Sequence, residues 1–109
     1  LDRLFSIQTP KSKFFYDTNQ IILKFTRDLY QREILFAPDA LAVAAAIQPD
    51  IILDKEYHYL FVELQGKHTR GQTLVDWYDT SGKPANAEII KKIDMRRFVE
   101  MMEEGLVNP

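Results

Sequence analysis

Residues 40–47 read Ala-Leu-Ala-Val-Ala-Ala-Ala-Ile, an unbroken apolar run bounded by Pro38-Asp39 on one side and Gln48-Pro49 on the other. The spacing predicts a helix over 39–48, with Pro38 in or just before its first turn and Pro49 just past its end, the positions where proline is least disruptive. A helix without a polar face has to lie between layers of other structure. It is also far shorter than the roughly 18 residues a membrane span requires. A chain of 109 residues hides only roughly 60–70% of the surface its unfolded form exposes. Sandwiching such a helix within so small a body is hard, so the run predicts that this chain packs against structure it does not itself supply.

The remaining composition narrows the class. With 46% hydrophobic and 28% charged residues, the whole of 1–109 reads as a single segment with a core, and disorder is excluded. Fourteen Lys and Arg against sixteen Asp and Glu leave a net charge of -2. No basic cluster exceeds Lys91-Lys92 or Arg96-Arg97, which argues against nucleic acid as a partner. The absence of cysteine removes disulfides, thiol nucleophiles and zinc fingers from consideration. No signal-peptide or membrane-spanning pattern stands out, so a cytoplasmic setting without a membrane partner is the expectation. The chain begins at Leu1 rather than Met, which suggests a piece of something longer.

Along the chain, residues 1–13 show no clean period, and Pro10-Lys-Ser-Lys reads as a surface connector. After Asp17-Thr18-Asn19, a cluster of good helix-capping residues, Ile22, Phe25 and Leu29 follow at helical spacing and predict an amphipathic helix to about Arg32. Residues 57–64 and 73–78 are rich in aromatic and β-branched side chains and predict an antiparallel pair across the glycine-containing turn 65–72. Ser81-Gly82-Lys83-Pro84 is a further turn, and 87–93 a third strand. Asp94 caps a last helix with Phe98, Val99, Met102 and Leu106 on one stripe and Gly105 at its end. The aspartates at 17, 28, 39 and 50 recur every eleven residues, but Pro38 and Pro49 break any continuous helix across them.

Few side chains carry an obvious chemistry. Asp39 opens an otherwise apolar helix, and serves there either as a first-turn carboxylate complementing the helix dipole or as a ligand for a hard cation such as Ca²⁺. Calcium takes about six to eight oxygens. Nothing near Asp39 in sequence supplies the rest. Thr26 and Tyr30, four apart, share one helix face and either present polar groups to a ligand or are a solvated threonine and a partly buried tyrosine. His58 and His68 have no zinc spacing and read as surface residues. Residues 67–70 either bind an anion through glycine-flanked amides or solvate a turn. Trp77 reads as core or interface, and Met95, Met101 and Met102 as packing residues.

Taken together, Phe-Ala-Pro-Asp-Ala-Leu-Ala-Val-Ala-Ala-Ala-Ile-Gln-Pro at 36–49 and Val-Glu-Leu-Gln-Gly-Lys-His-Thr-Arg-Gly-Gln-Thr-Leu-Val-Asp at 62–76 resemble the carboxy-terminal third of the inosine-uridine-preferring nucleoside hydrolases. The resemblance extends from the helix at Asn19 to about Glu104. It implies an α/β fold, an open and mainly parallel sheet with helices, of which this segment supplies helices plus an antiparallel hairpin. It also implies a calcium-dependent enzyme, a nucleoside N-ribohydrolase, that cleaves the N-glycosidic bond of ribonucleosides to free base plus ribose. By the same resemblance Asp39 is a calcium ligand, while Tyr30, Thr26 and Pro38 fall at the substrate-binding positions near the nucleobase. Pro38 stands where well-described classes carry His or Trp, and it neither donates a proton nor stacks. The amino-terminal aspartates that supply most calcium ligands and the general base have no counterpart here, so no catalytic residue is assigned within this segment. Activity is expected only with an amino-terminal portion, which would also provide the parallel sheet that the apolar helix lacks. Family resemblance further implies nucleoside metabolism, purine and pyrimidine salvage, and a homo-oligomer when complete. Two other readings stand beside this one: a catalytically inactive remnant acting as a binding or oligomerisation module, and an unrelated small α+β interaction domain.

Overall fold

A computed structural model of the chain describes residues 1–108. Its contacts divide it into two compact units, one formed by residues 1–51 together with the stretch from Asp94 onward, the other by residues 52–93.

The first unit is helical. A short α1 (Asp2–Phe5) leads into α2 (Pro10–Tyr30), then α3 (Pro38–Ile47), a 3-10 turn (Pro49–Ile51) and α4 (Met95–Val107). Helix α2 starts earlier than its periodicity predicts. Thr9 is the cap, its hydroxyl accepting from the Ser12 amide, and Pro10 takes the first helical position, where its missing N–H is not needed. The segment read as a connector is therefore a helix entrance. Helix α4 begins as expected, with Asp94 Oδ1 accepting from the Arg96 and Arg97 amides at 3.0 and 3.1 Å. It runs past Gly105 to Val107.

Every buried apolar side chain among the described residues belongs to this unit: Leu4, Leu23, Ala44, Ala45, Ile51, Phe98 and Leu106. On α2 the inward-facing residues are Ser12, Leu23 and Thr26. Of the predicted stripe, Ile22 is half-buried while Phe25 and Leu29 are exposed. Polar ties reinforce the packing, with Thr9 Oγ1 donating to the Leu106 carbonyl at 2.7 Å and Ser12 Oγ to the Leu4 carbonyl at 3.1 Å. The Asp94 amide donates to the Ile51 carbonyl at 2.8 Å, closing the chain where it leaves and re-enters the unit. Helix α3 turns Ala44 and Ala45 inward, while Val43 and Ile47 remain 60% and 71% exposed. Part of the apolar face of α3 is thus left uncovered among the described residues. No helix among the described residues is long and apolar enough to cross a membrane.

The second unit consists of two antiparallel strand pairs. Strand β1 (Ile52–His58) pairs with β4 (Ala87–Ile93), and β2 (Leu60–Val62) pairs with β3 (Thr73–Val75) in the register Leu60↔Val75, Phe61↔Leu74, Val62↔Thr73. The predicted strand over 57–64 is in fact the end of one strand and the whole of another, broken at Tyr59. The strand predicted over 73–78 stops at Val75. Asp76 ends it by accepting from the Thr80 and Ser81 amides, which turns the chain away from the ladder.

Candidate functional site

The four positions singled out by the sequence all lie in the helical unit. Thr26 is fully buried, and its hydroxyl accepts from the Ile34 amide at 2.9 Å while lying 3.2 Å from the Ile34 carbonyl and 3.1 Å from that of Leu23. Gln31 makes this clasp possible. It ends α2 with a left-handed backbone, φ 56, which reverses the chain and lays Ile34 against the preceding turn. The Thr26 hydroxyl is thus occupied by the chain's own backbone, and Tyr30 one turn on carries the exposed side chain of that face.

Replacing Thr26 with Val should strand the Ile34 amide and lower stability by about 1–3 kcal/mol. Thr26→Ser keeps the hydroxyl and gives up one methyl, about 0.8 kcal/mol. Urea unfolding of the two variants checks the order.

Pro38 occupies the first helical position of α3, and Asp39 follows in the first turn. Asp39 is exposed, and among the described residues its carboxylate accepts no capping hydrogen bond. It stands at the rim of a groove of about 750 Å³ between α3 and α4, whose apolar walls include Val43, Ile47, Phe98 and Met102. Thr26, Tyr30 and Pro38 do not line that groove.

An exposed carboxylate without an internal partner suits a hard cation in donor type, since such ions take oxygen ligands. It does not suffice in number. Among the described residues no group of three or more His, Asp or Glu converges anywhere. Asp39 alone, among the described residues, does not make a metal shell.

The turn at residues 65–72 is committed to its own geometry. Glu63 Oε1 accepts from the Gln65 and Gly66 amides at 2.8 and 3.0 Å, bonds that hold the Glu63 carboxyl below its ordinary pKa. The Gly71 amide donates to the Glu63 carbonyl at 2.7 Å. A Cβ on Gly66 would stand 2.1 Å from Thr69 Oγ1, so a larger residue there requires the Thr69 side chain to move. His58, read from sequence as a surface residue, is buried. Its ring lies edge-on to Trp77, 5.0 Å between centroids, with Glu56 two residues back on the same strand face. That Glu-x-His spacing on a strand is the signal that could have identified the pair.

Comparison with known proteins matches residues 1–100 to the family described as inosine-uridine preferring nucleoside hydrolase. The chain is 35% identical over 68 residues to the pyrimidine-specific ribonucleoside hydrolase RihA of Salmonella newport, covering 62% of this chain and 22% of that protein. It is 29% identical over 108 residues to RihA of Salmonella schwarzengrund, covering 97% of this chain and 34% of that one. Among solved structures, an inosine-guanosine nucleoside hydrolase superposes with a TM-score of 0.80 at 34% identity, over 97% of this chain and 32% of its own. The plant nucleoside hydrolase PpNRh1 shares the fold, with a TM-score of 0.78 at 18% identity over 99% of this chain and 36% of its own. At its fullest overlap the chain spans about a third of the length of these relatives.

Proposed function

Because the chain belongs to the inosine-uridine preferring nucleoside hydrolase family, we propose that it forms the carboxy-terminal third of an enzyme that hydrolyses the N-glycosidic bond of ribonucleosides. Water adds to the anomeric carbon, the bond to the base nitrogen breaks, and free base and ribose leave. The match over residues 1–100 carries this reading. The names of the relatives, pyrimidine-specific in one case and inosine-guanosine in another, support ribonucleosides at large as the substrate class.

Calcium is the metal proposed for the complete site, where it would bind sugar hydroxyls and make a water molecule more acidic. Asp39, in the first turn of α3, would contribute a carboxylate oxygen to it. Tyr30, exposed at the last position of α2, presents a phenol that can donate to or accept from a base edge. Thr26 supports that position from beneath by holding α2 to Ile34. Pro38 has no proton to give a departing base, so leaving-group protonation falls to another group. The same proposal places the complete protein in cytoplasmic purine and pyrimidine salvage as a homo-oligomer.

The test is a chimaera in which the amino-terminal two thirds of a RihA relative precedes residues 1–108. The 109-residue chain alone is expected to release no base from uridine, cytidine or inosine, and the chimaera with calcium to release it from at least one. A folded, calcium-loaded chimaera that cleaves none of them would favour the inactive-remnant reading, which Pro38 motivates.

A further inference from the structure

His58 ends β1 with both ring nitrogens facing acceptors. Nε2 lies 2.9 Å from Glu56 Oε2, and Nδ1 lies 3.1 Å from the carbonyl oxygen of Asp76, just past β3. A neutral imidazole has one N–H and one lone pair, so it satisfies one of these contacts and sets lone pair against lone pair in the other. Only the doubly protonated ring donates to both. The surrounding charges agree. Glu56 from β1 and Asp79 from the turn after β3, the latter at 3.7 Å, are both negative. From β4, Lys91 binds the other oxygen of Glu56 and lies over the Trp77 ring, its charge engaged away from the imidazole. The Asp76 carboxylate is turned to Thr80 and Ser81, leaving its carbonyl to His58.

We propose that His58 is held as an imidazolium clamp joining the end of β1 to the segment after β3, so that the unit of residues 52–93 tightens in acid and loosens when the ring loses its proton. This unit buries no apolar side chain among the described residues, so an ionic clamp carries more of its cohesion than it would beside a hydrophobic core. The Glu56 hydrogen bond raises the ring above the ordinary 6.5, against burial, which lowers it, and Asp79 adds to the rise. A pKa raised on folding gives stabilisation that is complete below the unfolded value. It is lost as pH climbs through the folded one.

In the chimaera completed at its amino end, the ring ¹⁵N signals of His58, identified as those lost in His58→Gln, are followed from about pH 5 to about pH 9, the range where histidine charge changes. The expected result is an imidazolium pattern persisting above pH 6.5 and a midpoint above that of the urea-unfolded chain. Glu56→Gln should move the midpoint down. A neutral single tautomer at pH 6.5, or equal midpoints in the folded and unfolded chain, overturns the clamp. Those two readings do not depend on the variant folding.

Discussion

Asp39→Ala, made in the chimaera completed at its amino end, is expected to remove tight calcium binding and to lower nucleoside cleavage by at least about 100-fold. Losing a group that merely orients a metal ligand already costs about 10–100-fold, and a direct ligand stands closer to the chemistry. The Asp39 carboxylate is exposed and uncapped in α3, so its removal leaves no buried partner unsatisfied. Stability should change by no more than the few tenths of a kcal/mol to about 1 kcal/mol that a first-turn charge contributes. Calorimetric titration with calcium, beside a thermal melt, separates the two effects. Unchanged calcium affinity would leave Asp39 as a dipole-complementing residue and take the metal site elsewhere.

Phe98→Ala should have the largest effect on stability. The ring is 6% exposed on α4 and, among the described residues, is the one aromatic side chain in the small buried apolar set. Truncating a buried phenylalanine costs about 3–5 kcal/mol. Domains hold only about 5–15 kcal/mol in total, so the variant is expected to be largely unfolded in mild urea. Phe14 is the control. It is 71% exposed on α2, and Phe14→Ala should move the midpoint very little.

The elements legible in the sequence are those with local causes. Helix α3 is bracketed by prolines, α4 carries its own capping aspartate, and β4 matches its predicted span of 87–93. Where the outcome depends on distant contacts, the pattern misleads. Phe25 and Leu29 have the spacing of a core stripe, yet the chain turns Leu23 and Thr26 inward and leaves those two exposed. Periodicity reports that a face is apolar; it does not say whether the covering layer lies within the same 109 residues. The start of α2 was obscured because Pro10 serves equally as a turn residue and as a first helical residue, and only the Thr9 hydroxyl decides between them. Asp39 and Tyr30 could be put forward as candidates from the family resemblance. The Thr26 clasp could not, because Ile34 reaches it only through the left-handed Gln31.

The hydrogen bond from the Asp94 amide to the Ile51 carbonyl bears on how such a chain tolerates change over generations. With the two ends already fixed side by side, residues 52–93 form an excursion, and lengthening or shortening an excursion alters closure entropy only logarithmically. Duplications, deletions or whole replacements between Ile51 and Asp94 therefore weigh lightly on the helices that carry Tyr30 and Asp39. Evolution can remodel the strands for new neighbours while the helices on either side of the excursion stay where they are.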